Sequence, residues 1–140
     1  MGKALSTYCK IKRIVDELPP TDCIDTLLDL YDISIIYDSK LNVSGKTFNK
    51  NIFIKDDLEY PLICFVKCHE FGHCICHNES MQYSFSMRNN TKKEREANLF
   101  AYLLLQKYGM SECIPVNILK DIKDLIESEN QLFKTSHDYI

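Results

Sequence analysis

The sequence predicts an α+β domain, and three observations carry that reading. Apolar residues recur at three- and four-residue steps near both ends of the chain, as amphipathic helices require. Two short runs rich in β-branched and aromatic residues, 33–37 and 51–54, stand between them. After these comes a long apolar segment carrying the pattern His69-Glu70-Phe71-Gly72-His73. At 140 residues, with 45% hydrophobic and 26% charged residues, the chain is long enough for a single domain with a real core.

The elements follow in order. Ala4, Leu5, Tyr8, Ile11, Ile14, Val15 and Leu18 form one stripe, which predicts a helix over roughly 3–18 that Pro19-Pro20 stops. Thr21 or Asp22 is expected to cap a second helix through about Tyr31, with Ile24, Leu27 and Leu28 inward. Ile33–Tyr37 and Asn51–Ile54 read as strands, and Lys46-Thr47-Phe48 as a hairpin neighbour of the latter, in a small antiparallel or mixed sheet. Pro61 suits the first turn of a helix running to about His77. In the looser stretch 78–90, Tyr83, Phe85 and Met87 alternate with polar residues and suggest a short strand at the rim of a cleft. Thr91 and Glu94 form a capping box for the next helix, which buries Ala97, Phe100, Ala101, Leu104 and Leu105 and ends at Gly109. A last helix is expected over 115–129, with fraying from about 128.

Two histidines at i and i+4 lie one above the other on a helix face, so both rings reach one ion. Imidazole nitrogen suits Zn²⁺, and a catalytic zinc takes three protein ligands and a water. Glu70, next to His69, falls beside the ion, where a carboxylate serves as general base. The bland alternative is a buried helix with two accidental histidines. Leu62, Ile63, Phe65, Val66, Phe71 and Ile75 do make it apolar almost all round, but buried His and Glu then need partners, and a metal is one. Gly72 weakens a helix by about 1 kcal/mol relative to Ala, which points to a backbone packed closely on that turn. His77 continues the series, either extending the site or ending the helix with a cationic ring.

The seven cysteines are an odd number, and Cys64, Cys68, Cys74 and Cys76 cluster. They do not space like a secreted disulfide framework, so free thiols in a reducing cytoplasm fit better. A structural zinc site from Cys68, Cys74, Cys76 and His77 is the lesser alternative, because these side chains leave several sides of one helix. The formal charge of −3 gives no electrostatic basis for nucleic acid. No apolar run approaches a membrane span, and the N-terminus lacks the apolar region of a signal peptide, so a cytoplasmic location is expected. Met1-Gly2-Lys3-Ala4-Leu5-Ser6 matches a short myristoylation pattern but reads equally as a helix start.

The His-Glu-Phe-Gly-His motif followed by Glu94-Arg95-Glu96-Ala97-Asn98-Leu99-Phe100-Ala101 resembles the ImmA/IrrE family of metallopeptidases, the M78 peptidases, over roughly residues 33–105. The resemblance implies a zincin-like fold with one Zn²⁺ per chain and a zinc-dependent endopeptidase of the bacterial cytoplasm. It implies as substrate a helix-turn-helix repressor of a phage or mobile element. No DNA-binding domain is legible here, so that repressor is expected to be a separate protein. Residue by residue, His69 and His73 become metal ligands, Glu70 the catalytic base, and an acidic residue of 94–98 the third ligand. The single domain of 1–140 then divides into N-terminal helices (1–32), a catalytic core (33–108) and a C-terminal helix (115–129). Family members often carry Met-Pro after the Leu pair, where this chain has Gln106-Lys107.

Between the two acids of the second helix, Glu94 is preferred, because residues two apart point about 200° apart and the face of Ala97 and Ala101 turns inward. Asn98, four residues on, is then placed to hydrogen-bond a ligating imidazole, while Glu96 is expected solvated or paired with a Lys or Arg. An oxyanion helper is also needed. Tyr83, Tyr60 and His137 are candidates among which the sequence does not choose, and Tyr83, in the stretch that rims the cleft, is counted with the site. A substrate strand is expected to add along Asn51–Ile54, unless Ile52 and Ile54 simply face the core. The rival functional reading is a non-catalytic, metal-stabilised interaction or sensing module. The intact Glu70 argues against it, since a purely structural site fills all four positions with ligands.

Overall fold

The computed structural model describes residues 6–77, 81–85 and 91–138, with side chains through residue 129. The myristoylation-like start, Met87 and the His137 side chain lie outside the described residues. The first helix, α1 (Thr7–Asp16), begins where its orphan N–H groups find acceptors. Ser6 Oγ accepts from the Cys9 N–H at 3.1 Å. The Glu129 carboxylate accepts from Thr7 and Tyr8 N–H at 3.2 and 3.0 Å. In the helix α2 (Ile24–Leu30) the N-cap position is Cys23, not Thr21 or Asp22, and its side chain makes no capping hydrogen bond. The Thr21 hydroxyl is engaged elsewhere: it donates to the Cys23 carbonyl at 2.7 Å and meets the Tyr108 hydroxyl at 2.7 Å.

Four strands follow: β1 (Ser34–Tyr37), β2 (Gly45–Phe48), β3 (Asn51–Ile54) and β4 (Tyr83–Ser84). They form one mixed sheet in the order β1-β3-β2-β4, with β1 parallel to β3 and the other pairs antiparallel. A two-residue turn joins β2 to β3. Asn49 and Lys50 both take positive φ, 52° and 65°, the mirror-image turn that matches strand twist. Because β3 has a neighbour on both sides, no peptide can add along Asn51–Ile54. That expectation is corrected, and Ile52 and Ile54 face the core, fully buried. The strand order arises because β1 joins β3 in parallel, a pairing that chain proximity does not announce.

The helix α3 (Tyr60–Cys76) has Pro61 in its first turn and is apolar all round, so it is buried by the sheet on one side and a helix on the other. Against the sheet the approach is so close that a Cβ on Gly45 would collide with Val66 Cγ1. On the other side lies α4 (Lys92–Lys107), started by the Thr91 hydroxyl accepting from the Glu94 N–H at 3.3 Å. A Cβ on Gly72 would stand 3.1–3.2 Å from Phe100 side-chain atoms. The close neighbour of that turn is therefore a ring and not a backbone. Gly109, with φ 71°, ends α4. The Met110 N–H reaches the Leu105 carbonyl at 2.8 Å and the Gly109 N–H the Gln106 carbonyl at 3.1 Å, the paired bonds of a left-handed helix stop.

After a 3-10 turn at Ser111–Cys113, α5 runs over Val116–Asp138, beyond the expected 115–129. The bond from Glu129 back to α1 lies in the stretch expected to fray and ties it to the body. The whole is α+β, and the core gathers Leu27, Ile54, Phe65, Phe71, Phe100 and Leu104 around the α3–α4 contact. No helix among the described residues is long and apolar enough to cross a membrane.

Candidate metal centre

The α3–α4 contact sets the site. His69 and His73 share one face of α3, and the first turn of α4 brings Glu94 opposite them. One ligand atom from each of the three lies within 4.8 Å of the others, and all three residues are buried. His69 Nε2 is 3.0 Å from Glu94 Oε1. His73 Nε2 stands 2.7 Å from Glu94 Oε2 but lacks the alignment of a hydrogen bond, so this buried nitrogen has no partner. Both oxygens of Glu70 are likewise buried without a hydrogen-bond partner among the described residues.

The electrostatics follow from that burial. Burial pushes the Glu70 carboxyl well above its ordinary range, and the nearby Glu94 charge pushes it further. Burial also lowers His73, against the pull of Glu94, and keeps the ring neutral as a metal ligand must be. For Glu94 burial acts upward, but the contacts with His69 and His73 outweigh it and hold the acid down to about 2. An ionised carboxylate, a neutral His73 imidazole and a carboxyl short of partners have one common remedy, a cation among them. The donor set, two imidazoles and one carboxylate, is that of catalytic zinc sites. The residues therefore fit a divalent metal ion.

Around this set, His69 Nδ1 is 2.7 Å from Asn98 Oδ1, one turn beyond Glu94 on α4. Phe85 closes the other side, its ring edge-on to His69 at 4.8 Å. Tyr83 stacks flat on His73, with centroids 4.2 Å apart and planes 2° from parallel, and its buried hydroxyl has no hydrogen-bond partner among the described residues. Tyr60, in contrast, sits at the far end of α3, exposed and beside Cys64, and is not part of the site. Nine residues of helix place it about 13 Å from His69.

Glu96 differs from expectation in being buried, yet it is paired with a lysine as expected: Lys10 Nζ is 3.2 Å from Oε2. Its other oxygen takes His77 Nε2 at 2.9 Å, and His77 Nδ1 lies 2.8 Å from His73 Nδ1. His77 thus neither joins the ligand cluster nor simply caps the helix. The i, i+4 spacing from His73 was its signal, and Phe85 lies in the stretch expected at the cleft rim; nothing in the sequence pointed to Lys10. None of the seven cysteines is in a disulfide. Burial raises the thiol of Cys68 and pushes that of Cys76 up to about 12, so they pack as neutral side chains, and no cysteine joins a metal cluster among the described residues.

Comparison with known proteins agrees with this geometry. The model of Peptidase_M78, the IrrE N-terminal-like domain, matches residues 27–127, from within α2 to the middle of α5. No curated protein and no solved structure matches the chain. The match covers the sheet, both site helices and every residue of the His-His-Glu cluster, and the chain belongs to the Peptidase_M78 (IrrE N-terminal-like) family.

Proposed function

We propose that this chain is a zinc-dependent endopeptidase with a zincin-like fold. Its substrate in this reading is a separate helix-turn-helix repressor of a phage or mobile element, cleaved in the cytoplasm. The observation that carries the proposal is Glu70: a buried carboxyl with no partner, beside three converging ligand atoms. A metal that only braced the fold would leave no use for such a group. His69, His73 and Glu94 would hold the ion. Bound there, zinc supplies Lewis acidity to the scissile carbonyl and makes water a nucleophile near neutral pH.

The chain's own residues do the rest. Glu70 accepts a proton from the attacking water and delivers it to the leaving amine, and its unengaged oxygens leave it able to do both. Asn98 Oδ1 accepts from His69 Nδ1–H and keeps Nε2 turned inward. The Tyr83 hydroxyl is the donor available to a developing oxyanion, since it is buried and unpartnered over His73. Phe65 and Phe85 exclude water from the His69 side.

The test is cleavage. Zinc-loaded protein is incubated with a helix-turn-helix repressor encoded beside it, and fragments are read by mass spectrometry. Glu70→Gln is expected to keep zinc and fold while losing about 100- to 10,000-fold in rate. Undiminished cleavage by a metallated Glu70→Gln sinks the mechanism.

A further inference from the structure

We propose that His77 and Glu96 are positioning residues for the metal ligand His73: anchored by Lys10, they form a relay that keeps the proton on His73 Nδ1 and so presents Nε2 to the ion. The inference rests on the metal reading above and concerns what holds the ligand in place.

The argument is one of donors and acceptors. A neutral imidazole carries one proton, and a ring that offers its Nε2 lone pair must hold that proton on Nδ1. His73 Nδ1 is 2.8 Å from His77 Nδ1, and of two facing nitrogens one must donate and the other accept. If His73 donates, His77 Nδ1 accepts and the His77 proton sits on Nε2. That proton then points at Glu96 Oε1, 2.9 Å away, an acceptor that cannot donate once ionised. Lys10 Nζ, 3.2 Å from Glu96 Oε2, stabilises the ionised form. With His77 neutral, the opposite direction fails at the last link, since His77 would turn a lone pair toward the carboxylate. With an ion between His73 Nε2 and Glu94 Oε2, 2.7 Å apart, the neutral relay therefore has one self-consistent set of protons, and that set presents the His73 Nε2 lone pair to the ion.

His69 needs no relay, because the Asn98 amide oxygen reaches its Nδ1 directly at 2.7 Å. Three elements converge on the other ligand. The chain leaves α3 at His77 with extended backbone (φ −127°, ψ −175°), which turns the ring back along the helix toward His73. Glu96 comes from α4, and Lys10 from α1, which lies outside the residues matched by the family model. The N-terminal helix thus contributes to the site through a carboxylate it neutralises.

The experiment measures zinc affinity by competition with a chromophoric chelator, and the His73 tautomer by imidazole ¹⁵N NMR of the zinc-loaded full chain. His77→Phe keeps the volume but removes the acceptor. It is expected to weaken zinc binding about 10- to 100-fold and to move His73 from the Nδ1–H form to a mixture. His77→Gln, whose amide oxygen accepts, is expected to restore most of both. Glu96→Leu should reproduce the loss, and the double variant should lose no more than the larger single, as links of one chain do. Parental affinity and tautomer in His77→Phe, or fully additive losses, overturn the relay. Should His77→Phe not fold, Glu96→Leu is read in its place, and its parental behaviour overturns the relay equally. A parent chain that binds no zinc overturns the metal reading and the relay together, whereas a zinc-binding parent with an indifferent His77→Phe sinks the relay alone.

Discussion

Glu94 and Glu96 stand two residues apart in the first turns of α4, both buried, and they live in opposite worlds. Glu96 is saturated: His77 takes one oxygen and the Lys10 ammonium the other, so charge and hydrogen bonds close on themselves. Glu94 faces two imidazoles and a carboxyl with no partner among the described residues, and His73 Nε2 beside it has no hydrogen bond there either. Burial alone therefore does not mark a functional acid. The mark is burial with donors and acceptors left over, because a closed set only supports structure while an open one asks for another ion or molecule.

The comparison breaks most decisively on metal content. Glu94→Ala is expected to abolish stoichiometric zinc under conditions that saturate the parent, while Glu96→Ala still fills with excess zinc; metal analysis after gel filtration checks this. The reverse result would transfer the ligand role to Glu96. Next in size is Asn98→Leu, which removes the acceptor behind His69 and should weaken zinc binding about 10- to 100-fold, read by chelator competition. An unchanged affinity would show that packing alone orients His69.

A third test uses pH on the metal-free protein. The Glu70 carboxyl is raised in the fold, so the stability it contributes is fully present below its unfolded value and is lost as pH rises toward the folded one. Glu70→Gln lacks that loss. Its advantage over the parent in denaturant melts should be small near pH 4 and widen upward, by at most about 1.4 kcal/mol per pH unit. A constant difference across pH would mean that Glu70 is not desolvated. The smallest effect belongs to the closed side. Lys10 is half exposed, so Lys10→Met should lower stability by about 1 kcal/mol or less. A loss several times larger would mean that Glu96 depends wholly on that ammonium.

How much of this was legible beforehand varied with the range of the interaction. The His69–His73 helix, the Thr91–Glu94 cap and the Gly109 stop are written within a few residues, and local spacing gave their positions. So did the facing of Glu94 and Asn98, since both follow from which side of α4 carries Ala97 and Ala101. The place of β3 was misread because strand order depends on how a crossover returns, which neither flank records. Cys23 displaced Thr21 as a cap through a partner, Tyr108, distant in sequence. One partner of the buried Glu96 is Lys10, 86 positions away, and no periodicity encodes that pairing.

The grip of Glu129 on the first N–H groups of α1 has a consequence for the order of folding. Its two bonds span 122 and 121 residues, almost the whole chain. Closing so long a loop is slow and unrewarded until the other end exists. During synthesis α1 therefore lacks this latch while the sheet and the α3–α4 pair are being made. The latch closes only when the segment of α5 that holds Glu129 has left the ribosome.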